Sequence, residues 1–180
     1  EIYTLSLHDA LPICHSLGGY VALRYALEYP QRVARLVLVA PFMQRAQITG
    51  RLRLLVHVPG AIAFLLRLAP LKLIRLGARL DRVNTRGLPA EVLAQVARDV
   101  KRADPRIAGM IRTLPEEVPD PRRLSLPCLF LWGARDNVLN PTLFNHLAAQ
   151  FPNAVPHCIL DGGHTIHQTH PTEVNQAILR

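Results

Sequence analysis

The sequence predicts an α/β fold: a parallel sheet flanked by helices and interrupted by a long helical insertion. Three observations carry this. Short apolar runs at 35–40, 126–132 and 155–160 alternate with helical stretches, the rhythm of βαβ units. The segments Cys14-His15-Ser16-Leu17-Gly18, Gly133-Ala134-Arg135-Asp136 and Asp161-Gly162-Gly163-His164 lie at strand ends, where open parallel sheets build their sites. Residues 42–125 break the rhythm, being rich in Leu and Arg and poor in strand signals.

The elements follow in order. Residues 17–29 read as a helix, because Val21, Ala22, Tyr25, Ala26 and Tyr29 recur at helical spacing and Pro30 ends the run. The run 35–40 (RLVLVA) is almost continuously apolar and stops at Pro41, which suits a strand buried on both faces. In the insertion, helices are expected over 51–58, 61–68, 71–80, 89–102 and 105–114, punctuated by Pro59, Gly60, Pro70, Gly77, Gly87, Pro89, Pro105 and Pro115. Strands at 126–132 and 155–160 enclose a helix at 141–151, and Pro171 suits the first turn of a last helix over 171–180.

Composition narrows the class. A chain of 180 residues with 49% hydrophobic content can bury a real core, and no apolar run reaches the length of a membrane span. Cys128 and Cys158 sit in strand-like stretches and read as buried free thiols. The compartment is left open, with the cytoplasm favoured. Net charge is +8, and residues 42–126 hold most of the basic excess. The arginines alternate with Leu, Ile and Val, so solvated faces of amphipathic helices are the first reading. Membrane-surface contact through this basic region is the sharper and less favoured one. No nucleic-acid motif is present. His164, His167 and His170 lack the carboxylate or cysteine pair of a metal site, so no metal and no cofactor is expected.

The chemistry points to acyl transfer. G-x-S-x-G places a serine on a sharp strand-to-helix turn, with Oγ exposed and the next backbone N–H aimed at the reacting oxygen. Ser16 fits the nucleophile and Leu17 N–H the oxyanion donor, although Cys14 stands where the first glycine belongs. A serine needs a base, and His146, His157, His164, His167 and His170 are the candidates. His164 is preferred because it follows a strand through two glycines, which give the loop freedom; His167 and His170 read as solvent-exposed neighbours. Asp136 is preferred as the acid over Asp161, which reads as a loop cap.

From His15 onward, HSLGGYVALRYALEYPQRVARLVLVAP, the W-G-x-x-D stretch from Trp132 to Asp136 and the G-G-H at 162–164 resemble the α/β-hydrolase superfamily, in its serine-nucleophile branch. The resemblance implies that residues 14–41 and 126–180 form the C-terminal part of that family's sheet, with 42–125 as its helical cap. Leu65, Leu66, Leu68, Leu73, Ile74 and Leu76 then either line an acyl pocket or pack the cap onto the main domain. It implies a catalytic triad of Ser16, Asp136 and His164 and hydrolysis of small, apolar carboxylic esters or related acyl compounds without a cofactor. Serine in place of aspartate argues against the epoxide hydrolase and haloalkane dehalogenase branches. Carbon–carbon bond hydrolases and cofactor-free haloperoxidase-like enzymes share these residues, and a non-catalytic hydrolase-like binding module is a further alternative.

Residues 1–13 resemble a translated short-read sequencing adapter, which would also account for Cys14 as a junction codon in place of glycine. The family's second oxyanion donor lies in an earlier His-Gly-type segment with no counterpart in this sequence. The expectation is therefore an active parent, and a 180-residue chain that is poorly soluble and without esterase activity.

Overall fold

The computed structural model describes residues 11–50, 53, 57, 59–104, 111 and 120–180. Four strands form one parallel sheet in the order β1-β2-β3-β4: β1 is Ile13–His15, β2 Leu36–Val39, β3 Cys128–Gly133 and β4 Ala154–Ile159. Register is continuous, with Cys14 opposite Leu38, Leu38 opposite Phe130, and Phe130 opposite Pro156. Pro156 is tolerated because β4 is an edge strand. Pro12 and Ile13, at the end of the adapter-like stretch, join the sheet: Ile13 pairs with Val37, and Val37 N–H donates to the Pro12 carbonyl at 2.9 Å.

Alternation along β2 sorts the layers. Leu36 and Leu38 face a core with Ala22, Leu23, Phe130, Trp132, Phe144 and Phe151. Val37 and Val39 face the opposite side, with Leu131, Ile159, Ile166 and Val174. The first core is closed by α1 (Leu17–Glu28), and the second by the C-terminal helices. Gly19 explains how α1 seats: a β-carbon there would collide with Pro41. The buried face of α1 is therefore Gly19, Ala22, Leu23 and Ala26. Val21, Tyr25 and Tyr29, which share the helical spacing, are exposed. Gly19, Ala22 and Ala26 let the helix approach the strands, and Leu23 joins the core.

Between β2 and β3 lie α2 (Pro59–Leu68), α3 (Leu71–Leu80), α4 (Arg82–Thr85) and α5 (Ala90–Arg102). α3 packs on α5, and Lys101 Nζ donates to the Ala69 carbonyl at 2.8 Å. Helices expected at 51–58 and 105–114 lie largely outside the described residues. The helix expected at 141–151 divides into a 3₁₀ turn, Pro141–Leu143, and α6 (Phe144–Ala148), with Asn140 capping the turn through Thr142 N–H. α7 (Ile166–Thr169) was not anticipated. α8 (Pro171–Ile178) begins with its proline in the first turn. No helix among the described residues is long and apolar enough to cross a membrane.

Candidate active site

Ser16 sits between the end of β1 and the start of α1, with φ 53° and ψ −123°. That conformation is strained for a residue with a β-carbon. It is held by its surroundings: Ser16 N–H donates to the Val39 carbonyl at 3.0 Å, and the Ser16 carbonyl accepts from Gly19 and Phe42, both at 2.9 Å. A β-carbon at Gly18 would lie 3.8 Å from that of Cys14, an ordinary contact, so Cys14 is accommodated without strain. Leu17 is the first residue of α1, so its N–H has no intrahelical acceptor.

Asp136 follows β3 in a tight turn, its N–H donating to the Gly133 carbonyl at 3.2 Å. Its side chain is fully buried. Oδ1 accepts from Val138 N–H and Leu139 N–H, each at 2.8 Å. Oδ2 lies 2.8 Å from His164 Nδ1. These bonds satisfy the carboxylate as the anion, the condition for burying it. His164 Nε2 lies 3.0 Å from Ser16 Oγ, so the structure brings Ser16, His164 and Asp136 into one chain of contacts.

The glycines make this meeting possible by leaving space. A β-carbon at Gly133 would overlap the backbone of Gly162 and Gly163, and one at Gly163 would strike Asn84 and Val83. Neither Gly162 nor Gly163 has positive φ. The expected freedom of the loop is thus replaced by close approach as the reason for glycine.

The rival residues lie elsewhere. Asp161 faces His170 Nε2 at 3.1 Å and Arg86 at 3.6 Å. His157 pairs with Glu173 at 3.1 Å in the edge strand, and His146 lies in α6. His167 and His170 are partly buried, not solvent-exposed: α7 brings His167 beside His15, whereas His170 pairs with Asp161. The His167 ring lies 4.5 Å from His15, and its Nδ1 is buried without a partner among the described residues.

Sequence reasoning missed several neighbours. His15 Nε2 donates to the His164 carbonyl at 2.9 Å, with the two rings 4.7 Å apart. Burial, then the nearby His164, pushes the His15 pKa down to about 4, so its ring is neutral at pH 7. Asn84 Oδ1 accepts the His164 N–H at 2.6 Å. Asn137 was legible only as the residue after Asp136, and nothing local marked Asn84. A cavity of about 520 Å³ adjoins His164, walled by Ile74, Ala78, Leu88, Val96, Val100 and Val138. Of the leucines and isoleucine considered for such a pocket, Ile74 lines it, whereas Leu65, Leu68, Leu73 and Leu76 are exposed. No cluster of three His, Cys, Asp or Glu suited to a metal occurs among the described residues.

The fold and these segments place the chain in a known family. A sequence model of the alpha/beta hydrolase family matches residues 3–177, and the chain belongs to that family. Among solved structures, an esterase from Rhodococcus sp. ECU1013 superposes with a TM-score of 0.76 at 21% identity, over 97% of this chain and 65% of that one. A meta-cleavage product hydrolase from Pseudomonas fluorescens IP01 gives 0.73 at 18%, over 97% and 65%. A thermophilic esterase from Thermogutta terrifontis gives 0.71 at 24%, over 96% and 64%. The chain thus spans about two thirds of the length of these structures.

Proposed function

We propose that the chain carries the reacting groups of a serine hydrolase acting on carboxylic esters or related acyl bonds of small, largely apolar molecules. One observation carries the reading: Ser16 Oγ lies 3.0 Å from His164 Nε2 while His164 Nδ1 lies 2.8 Å from Asp136 Oδ2. His164 is the base. As Ser16 Oγ attacks the acyl carbon, its proton passes to Nε2, and Nδ1–H donates to Asp136. Asp136 fixes the tautomer and stabilises the imidazolium. Leu17 N–H faces the oxygen that gains charge. His164 then returns the proton to the departing alcohol, leaving an acyl-enzyme. Water opens that ester by the same steps, again with His164 as base. The apolar cavity beside His164 suits the acyl or alcohol part of the substrate, and the helices walling it serve as a cap over the sheet ends.

Labelling with a fluorophosphonate probe tests the reading. The reaction is stoichiometric, so it reports nucleophile activation without turnover. Labelling is expected at Ser16 and is lost in Ser16→Ala. Persistence of the label in Ser16→Ala would remove the serine from its proposed role.

A further inference from the structure

His164 is held by more than the sheet and Asp136. Its main-chain N–H donates to Asn84 Oδ1 at 2.6 Å, across 80 residues of sequence. Asn84 belongs to α4 in the helical insertion and is buried. Its Nδ2 donates to Asp81 Oδ2 at 2.9 Å and to Asn137 Oδ1 at 2.7 Å. Asn137 Nδ2 in turn donates to Asp81 Oδ1 at 3.1 Å. The three side chains close a triangle with one corner beside Asp136 and another on His164.

We infer that Asp81, Asn84 and Asn137 are positioning residues through which the helical insertion sets the orientation of His164 and Asp136. The inference rests on the roles proposed above for those two residues.

The polarity of the triangle follows from its one anion. A carboxylate only accepts, whereas an amide can be turned either way. Asp81 therefore draws the NH₂ ends of both asparagines toward itself. With Nδ2 committed to Asp81, Asn84 must present Oδ1 outward, and the N–H it meets is that of His164. Without the anion, Asn84 could turn its NH₂ toward that N–H and leave two donors facing each other. The seat is also tight. Gly163 has no room for a β-carbon beside Asn84 Oδ1 and Val83, and Thr165 Oγ1 donates to the Asn84 carbonyl at 2.8 Å. The segment 163–165 is thus clasped to α4 by two hydrogen bonds and by steric contact. α4 is itself tied down, because Thr85 Oγ1 donates to the carbonyls of Ala78 and Asp81, both at 2.9 Å. Asp81 and Asn84 also line the cavity next to His164, so a molecule seated there touches the network that orients the base.

The test compares Asn84→Leu, Asp81→Asn, and the double swap Asp81→Asn with Asn84→Asp, which returns an acceptor to position 84. Two quantities are read on each folded protein: the rate of fluorophosphonate labelling at Ser16, and hydrogen exchange at the His164 amide. Asn84→Leu should slow labelling by about 10- to 100-fold, the scale of a displaced catalytic group, and should speed His164 exchange. Asp81→Asn should do the same more weakly, and the swap should recover most of both. Wild-type labelling and wild-type exchange in folded Asn84→Leu would overturn the inference. If that variant does not fold, equal labelling by Asp81→Asn and the swap would overturn it. Absence of Ser16 labelling in the unmodified chain would instead count against the proposed function, and the exchange measurement would still judge the network.

Discussion

The imidazole of His15 donates from Nε2 to the carbonyl oxygen of His164 at 2.9 Å. The residue before the proposed nucleophile therefore braces the residue proposed as its base. The bond needs only the neutral ring, and protonation would place a cation beside His164 and His167. Burial and these neighbours depress the His15 pKa to about 4, against the weaker opposing pull of Asp136 and of the backbone bond.

This gives a pH dependence of stability. The folded-state pKa lies below the unfolded value, so the unfolded chain binds more protons between about pH 4 and 6.5. The His15 contribution is complete above pH 6.5 and is lost as pH falls toward 4, by about 3 kcal/mol at most. His167, whose pKa burial also lowers, acts in the same direction. In His15→Gln, the amide Nε2 reproduces the donor without titrating. Denaturant unfolding at pH 4 and pH 7 should show a smaller drop in the variant than in the wild type. An equal drop would show that His15 titrates normally.

Gly133→Ala, at the end of β3, should damage the site far more than Gly87→Ala. The new β-carbon meets the backbone of Gly162 and Gly163, which cannot swing aside as a flexible side chain would. The loop carrying His164 must move, and a shift of about 1 Å is enough to cost about 10²-fold in rate. Gly87→Ala is the contrast: it lies at φ 75° in open space and strains only its own backbone. Labelling rates of the two variants, each checked for folding by thermal melting, decide the point.

Much of this arrangement was legible in the sequence. The apolar runs predicted β2 and β3 because a strand buried on both faces needs no alternation, and β4, though an edge strand, kept enough apolar character to be read. The elbow, the W-G-x-x-D stretch and the G-G-H stretch located Ser16, Asp136 and His164 because each motif is local to a strand end. Long-range contact was not legible. The buried face of α1 was not legible, because the close approach of Gly19 to Pro41 decides which side meets the sheet. Asn84 carries no local signal, since its partners Asn137 and His164 lie 53 and 80 residues away. His167 and His170 were placed outward because α7 was not foreseen.

The cysteines should differ in reactivity. Burial pushes the Cys128 thiol up to about 12, so almost none of it is thiolate at pH 8. Cys14 and Cys158 are partly exposed, with smaller upward shifts caused by burial. Mass spectrometry after brief alkylation of the folded protein should find Cys14 and Cys158 modified before Cys128. Early modification of Cys128 would mean that the core between β2 and β3 opens readily.

Substitutions in the proposed triad should separate by role. His164→Ala removes the base and should slow fluorophosphonate labelling by about 10²- to 10⁴-fold. Asp136→Asn leaves the base but disturbs its tautomer and charge, so its loss should be smaller. A larger loss for Asp136→Asn than for His164→Ala would show that Asp136 chiefly holds the fold, through its bonds to Val138 and Leu139.

The central claim is that Ser16 is a nucleophile activated by His164. Its most direct measurement is the site and rate of fluorophosphonate labelling in the unmodified chain and in His164→Ala, read by peptide mass spectrometry. The account predicts one adduct, on Ser16, and a rate that falls steeply in folded His164→Ala. An adduct on another residue, or an unchanged Ser16 rate in His164→Ala, would contradict it.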